Sequence, residues 1–185
     1  VGAMGSVAAF SFYPTKNMTS GEGGMIVTND PEIERKCRLL RNQGMEQRYM
    51  NEIIGFNTRM TDIHAAIGRV QLKKLPEWTR IRQANARYLD SALSNVIIPK
   101  VADGATHVYH QYTIRCDNRD EFARQLNKKN IGNGVYYPTP VHRLPSFASN
   151  LDLPETEAAA ASVLSLPVHP SLNEKDLEDI VKACQ

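Results

Sequence analysis

An α/β fold in two parts is predicted by three features of the sequence. Near its start, residues 7–12 and 25–28 are short, largely apolar runs with the length and composition of strands. Three later stretches carry apolar side chains at helical spacing, and beyond residue 95 strand-like and helix-like segments alternate. That change of pattern divides the chain into residues 1–94 and 95–185, the second reading as a small α/β domain.

The first two strands flank a connection that carries Pro14, Lys16 and the glycines Gly21, Gly23 and Gly24. A lysine amine held on such a turn and partly desolvated is a nucleophile toward a carbonyl, although a solvated loop lysine fits the same spacing. Asp30 as N-cap and Pro31 at the first helical position start a helix that runs to about Leu40, with Ile33, Cys37 and Leu40 on one face and Gly44 as its breaker. Residues 45–58 lack periodicity and read as an ordered loop, of a length that is often functional. Thr61 caps a second helix to about Leu75, with Ile63, Ala66, Ile67, Val70 and Leu75 on its buried side. His64 lies near that face and, without a second ligand at matched spacing, reads as a packed or surface histidine. Pro76 opens or kinks the next helix, whose apolar stripe is Trp78, Ile81, Tyr88, Leu89 and Ala92, with Arg80, Arg82 and Arg87 facing solvent.

In the second part, residues 96–98 and 109–115 read as strands, 119–129 as a helix capped by Asp117 or Asn118, and 135–137 as another strand. Pro138, Pro140, Pro145 and Pro154 punctuate an extended connection, and residues 155–162 and 173–183 read as two further helices.

Composition narrows the function classes. The chain is 42% hydrophobic and 23% charged, with a mean hydropathy of −0.40 and no long apolar run, so neither a membrane span nor a signal peptide is read. Its 22 basic and 20 acidic residues are interspersed and leave a net charge of +2, which gives no footprint for nucleic acid or an anionic membrane. Cys37, Cys116 and Cys184 are far apart and form no Cys-x-x-Cys or Cys/His cluster. They argue against a disulfide framework or a zinc site and for reduced thiols in a cytoplasm.

Taken in order, Ser11-Phe12, Lys16 and Gly21-Glu22-Gly23-Gly24, then Arg41-Asn42-Gln43-Gly44, Gly55-Phe56-Asn57-Thr58-Arg59 and Ala65-Ala66-Ile67-Gly68 resemble the DegT/DnrJ/EryC1/StrS sugar aminotransferases. The resemblance continues through residues 71–75, 136–142 and 164–170 and so covers practically the whole chain. It implies the C-terminal part of a fold-type-I pyridoxal-phosphate-dependent transferase, with residues 1–94 ending the large cofactor-binding domain and 95–185 forming the small C-terminal domain. Members of the family are substantially longer, and this chain begins just upstream of the lysine.

The resemblance also implies roles for single residues. Lys16 matches the lysine that holds pyridoxal 5'-phosphate as a Schiff base and then moves the proton between the substrate Cα and the cofactor. Ser11 matches a serine that donates to the cofactor phosphate, and Asn57 an asparagine that reaches that phosphate from the partner subunit of a homodimer with shared active sites. Arg59 looks like the residue lining the substrate side across that interface, able to pair with the carboxylate of glutamate or a nucleotide-sugar phosphate. Tyr136, Tyr137 and His142 fall in a segment similar to one bordering the sugar site. The implied reaction is transamination of a nucleotide-linked keto-deoxysugar with glutamate as amino donor; a lysine rather than a histidine at position 16 argues against the dehydrating branch of the family. Relatives carry upstream the aspartate that pairs with the pyridinium nitrogen, an aromatic ring that stacks on the cofactor and a phosphate-cradling helix N-terminus, so the 185-residue chain alone is expected to be inactive. The other class is a non-catalytic remnant or interaction module that keeps the dimer-forming helices without the chemistry.

Overall fold

The computed structural model of the protein describes residues 2–147 and 149–185, and these form two compact units, one ending at Pro76 and the other beginning at Glu77. In the first unit, β1 (Val7–Ser11) pairs antiparallel with β2 (Gly24–Thr28), with Val7 opposite Thr28 and Ser11 opposite Gly24. Helix α1 (Pro31–Arg41) starts as its sequence demands: the Asp30 carboxylate accepts from the amides of Glu32 and Ile33 at 2.8 and 3.2 Å, and Pro31 occupies a position that needs no amide.

The far end of α1 is closed by the loop that follows. A helix leaves its last four carbonyls without intrahelical partners. Here the Arg38, Leu39, Leu40 and Arg41 carbonyls accept from the amides of Asn42, Gly44, Phe56 and Thr58, so two of the four donors come from the returning arm of the 45–58 loop. That close return depends on two glycines. A Cβ at Gly44 would overlap the Ile53 carbonyl, and one at Gly55 would overlap the Gly44 amide.

Helix α2 (Asp62–Ala92) corrects the expectation of two helices: it runs through Pro76 without a break. Proline withholds a hydrogen bond from the carbonyl four residues earlier, here that of Leu72. Leu72 and Pro76 both lie on an exposed face, where water can serve the carbonyl instead. The buried face of the helix's first half is also not the one expected. Gly68 is buried and His64 and Gln71 are partly covered, whereas Ile63, Ile67 and Val70 remain 74%, 40% and 55% exposed. The small and polar face meets the lysine loop, and no element of this unit among the described residues covers the apolar stripe.

The second unit carries the hydrophobic core. Strands β3 (Tyr112–Arg115) and β4 (Val163–Leu166) pair antiparallel, and single bridges extend the pairing on both sides, Ile97 to Arg115 and Gly134 to Ser165. Helices α3 (Arg119–Lys128) and α5 (Glu174–Cys184) share their core, and α4 (Pro154–Ser162) leads directly into β4. Tyr112, Ile114, Leu164 and Leu166 of the strands, Leu126 of α3, Ile180 and Val181 of α5 and the end of α2 through Ala86 and Leu89 form one buried cluster. Each large aliphatic side chain buried this way stabilises the unit by about 1.5–3 kcal/mol. In the first unit Leu39 is the one hydrophobic side chain buried among the described residues.

Three expected strands are shorter than read or absent. The 109–115 run becomes regular only at Tyr112 because Tyr109 adopts a left-handed backbone, φ 43°, which interrupts an extended chain. Residues 96–98 contribute only Ile97, and 135–137 form no strand; Pro138 and Pro140 follow closely and have no amide to offer a ladder. Strand β4 was not among the expected strands. Arg82, expected in solvent, is half-buried and donates to the Tyr109 carbonyl at 3.1 Å. Asn118 occupies the cap of α3 in a left-handed conformation, φ 50°, without a side-chain cap bond, whereas Asn173 and Asp176 form a full capping box on α5.

Candidate cofactor and substrate site

The connection between β1 and β2 holds Lys16 on a tight turn. The Lys16 amide donates to the Tyr13 carbonyl at 3.0 Å, with Pro14 in the second position, where its fixed φ suits the turn. The loop then folds back on the strand end: the Phe12 carbonyl accepts from the Ser20 amide at 3.1 Å and from the Thr19 hydroxyl at 2.9 Å, and the Phe12 amide donates to the Gly23 carbonyl. Ser20 is fully buried, its hydroxyl donating to the Glu22 carbonyl at 2.6 Å, and the loop rests on α2 at Gly68 and through the Thr19 amide, 3.5 Å from the Gln71 side-chain oxygen. The backbone around Lys16 is therefore fixed while its side chain is exposed, and the burial expected for the amine is not supplied by the described residues of the first unit.

Ser11 ends β1, exposed, and its hydroxyl accepts from the Tyr13 amide at 3.3 Å, which leaves its own hydrogen to donate. Ser11 and Lys16 thus share one short segment. Asn57 and Arg59 belong to a different feature, the arm that closes α1. Asn57 bridges Asn42, and Arg59 donates from Nη1 to Asn42 Oδ1 at 2.6 Å, both side chains remaining exposed.

In the second unit, Tyr136 and Tyr137 are 50% and 74% exposed and meet edge to face with ring centroids 5.8 Å apart. His142 differs from them. It is 8% exposed, in a single 3-10 turn (Val141–Arg143), and its Nε2 lies 3.1 Å from Glu157 Oε1 on α4. Arg143 donates to the same oxygen from Nε and Nη2 at 3.0 and 2.6 Å, and these donors hold the Glu157 carboxyl below the usual carboxylate range, His142 contributing most.

Several of these supporting residues escaped the sequence reading. Ser20 lies in the Lys16 connection and Gln71 in the 71–75 stretch, neither with a signal of its own, and Asn42 could have been singled out as the short polar side chain at the end of a helix. Glu157 offers no signal in an alanine-rich helix.

The sequence profile of the DegT/DnrJ/EryC1/StrS aminotransferase family matches residues 1–185. The chain belongs to that family. A pleiotropic regulatory protein of Geobacillus stearothermophilus is 42% identical to it over 192 aligned residues, which take in 98% of this chain and 52% of that protein. A dTDP-3-amino-3,4,6-trideoxy-alpha-D-glucose transaminase of Streptomyces venezuelae is 39% identical, with 99% of this chain and 50% of that enzyme covered. Among solved structures of the DegT/DnrJ/EryC1/StrS family, S. venezuelae DesV in complex with a ketimine intermediate superimposes with a TM-score of 0.93 at 39% identity, over 99% of this chain and 52% of DesV. Helicobacter pylori PseC, an aminotransferase involved in the biosynthesis of pseudoaminic acid, gives 0.89 at 27% identity, over 100% of this chain and 53% of PseC. The chain spans about half the length of the family members it matches, and its α/β arrangement is that of the part of the DegT/DnrJ/EryC1/StrS fold expected from the sequence.

Proposed function

We propose that this chain supplies the lysine-bearing part of a pyridoxal-phosphate-dependent aminotransferase acting on a nucleotide-linked keto-deoxysugar, with glutamate as amino donor. The observation that carries the proposal is the turn at Lys16, which fixes the backbone and presents the amine, in a chain matched by the family along its whole length. The residues fit a phosphorylated aldehyde cofactor: an exposed amine at Lys16, a hydroxyl with a free hydrogen at Ser11 and an exposed amide at Asn57. When bound, pyridoxal phosphate supplies an electron sink that acidifies the carbon bearing the amino group.

The chain's own residues do the rest. Lys16 Nζ would hold the cofactor and, once displaced by the donor's amine, would take the proton from the carbon bearing the donor's amino group and, in the other half of the reaction, deliver a proton to the sugar carbon that gains the amine. Ser11 Oγ orients the phosphate by donating to it. Asn57 adds a neutral donor that suits a dianion, contributed across a homodimer interface, and Arg59 meets a carboxylate or sugar-nucleotide phosphate. Tyr136 and Tyr137 offer hydroxyls and ring faces to the sugar. A division near residue 95 between a large-domain portion and a small domain, and a cytoplasmic location, belong to the same proposal. The described residues contain no helix long and apolar enough to cross a membrane.

The test is to complement the purified chain to the full family length, incubate it with pyridoxal phosphate, reduce with borohydride and map the adduct by mass spectrometry beside a Lys16→Ala control. Stoichiometric labelling confined to Lys16 is expected in protein complemented to the full family length. Labelling spread over surface lysines and unchanged in the control would overturn the role given to Lys16. The 185-residue chain by itself is expected to show no turnover with glutamate and a keto-sugar nucleotide, because the first unit leaves Lys16 uncovered.

A further inference from the structure

The segment from Gly134 to Phe147 is poor in its own backbone support. Pro138, Pro140 and Pro145 have no amides, and the internal bonds that remain are short-range, from the Arg143 amide to the Pro140 carbonyl, Leu144 to Val141 and Phe147 to Leu144 at 2.9, 3.1 and 2.9 Å. Such a segment takes its place from where it is tied. At one end the Gly134 amide and carbonyl both bond Ser165 of β4, at 3.1 and 2.8 Å. Further along, His142 and Arg143 converge on one oxygen of Glu157, which stands in the first turn of α4, where a carboxylate is favoured by the helix dipole. The exposed rings of Tyr136 and Tyr137 lie between these two ties.

We infer that Glu157 is a positioning residue for this segment: Tyr136 already rests on Gly134, and through His142 and Arg143 Glu157 sets where Tyr137 and the chain beyond it stand, and so how the sugar nucleotide is received. The second half of that statement rests on the reading that the segment borders the substrate; the first does not. Three features single out Glu157. Its oxygen is the shared acceptor of both basic side chains, His142 is the buried member of the group, and α4 is anchored independently, since the buried Arg119 guanidinium donates to the Ala160 and Val163 carbonyls at its far end, at 3.0 and 3.1 Å.

Hydrogen exchange on the full chain tests the tie. In Glu157→Ala the Arg143, Leu144 and Phe147 amides are expected to exchange roughly tenfold faster, the factor that one net charged hydrogen bond is worth, while amides of β3 and β4 keep their protection. Glu157→Gln, which keeps an acceptor for His142 but no charge for Arg143, should recover part of the protection. Unchanged exchange in Glu157→Ala overturns the inference, and so does an equal loss across β3 and β4, which would make Glu157 a general stability residue. The same variant in protein complemented to full family length should raise KM for a dTDP-linked keto-deoxysugar several-fold while leaving kcat and the KM for glutamate in place. Faster exchange with an unchanged sugar KM would leave the tie standing and overturn the reading of the segment as a substrate border.

Discussion

Arg59 Nη1 donates to Asn42 Oδ1 at 2.6 Å, while Asn42 Nδ2 donates to the Met45 carbonyl at 2.9 Å. One asparagine at the end of α1 thus braces both the start of the 45–58 loop and the arginine just past its end. Asn42→Ala should lower stability by about 1 kcal/mol, small because the bonds are largely exposed. In the complemented enzyme it should weaken substrate or donor binding as far as Arg59→Ala does. A double-mutant cycle on those two residues checks this: coupling is expected, and simple additivity would separate Asn42 from the role of Arg59.

Gly55→Ala is expected to be far more damaging. The added methyl would meet the Gly44 backbone rather than a movable side chain, so the amides that close α1 must shift together. The cost should be roughly 2–4 kcal/mol, of the size reserved for backbone strain. Exchange of the Phe56 and Thr58 amides, which serve the Leu40 and Arg41 carbonyls, reports it directly.

The two units should respond differently to mutation. Leu164 is fully buried in the second, and Leu164→Ala is expected to cost about 2–5 kcal/mol through the cavity it leaves. Ile63 is 74% exposed in the first, and Ile63→Ser should change the stability of the isolated chain by no more than about 0.5 kcal/mol. Once the apolar face of α2 is covered in a longer assembly, the second substitution should become costly. Chemical denaturation of both forms measures the difference.

Alkaline conditions should loosen the second unit first. Burial pushes the Cys184 thiol up to about 11 from an ordinary value of 9.0, with nearby Lys129 opposing the shift in part. The folded state therefore holds this proton more tightly than the unfolded one, so the contribution is complete below about pH 9 and is lost as pH rises toward 11. Tyr112 acts in the same direction, its phenol raised by burial and by donating to Asp90 Oδ1 at 2.7 Å. Denaturation midpoints across that range should fall for the native protein and fall less for Cys184→Ala. At pH 8, iodoacetamide should reach Cys37 well before the buried Cys184.

Much of the local structure was legible because single residues decide it. Asp30 and Pro31 mark the start of α1, and Asn173 marks α5. What was not legible depends on which face meets what. The apolar stripe of α2 was read as its buried side, but within this unit the helix turns Gly68 and Gln71 to the lysine loop and leaves Ile63, Ile67 and Val70 exposed. Pro76 read as a boundary because sequence does not say which side of a helix is wet. β4 is four residues long, and burial on both faces hides the alternation that marks a strand. For the candidate site, Lys16 and Ser11 stand out through the family motif; Asn42 is marked only by its place at a helix end, not by its partner Arg59 17 residues on, and Glu157 acts through partners 14–15 residues away, a distance at which no local pattern speaks.

Ser165 faces two neighbours at once, its backbone bonded to Gly134 and its hydroxyl 2.9 Å from that of Thr113. A slip of β4 by one residue would break both links and turn Leu164 and Leu166 away from the core. The register of this short strand is thereby fixed from both sides, and with it the point from which the Tyr136 segment departs. A single residue added within the four residues of β4 would invert the rest of the strand, whereas the proline-rich connection has no ladder to invert.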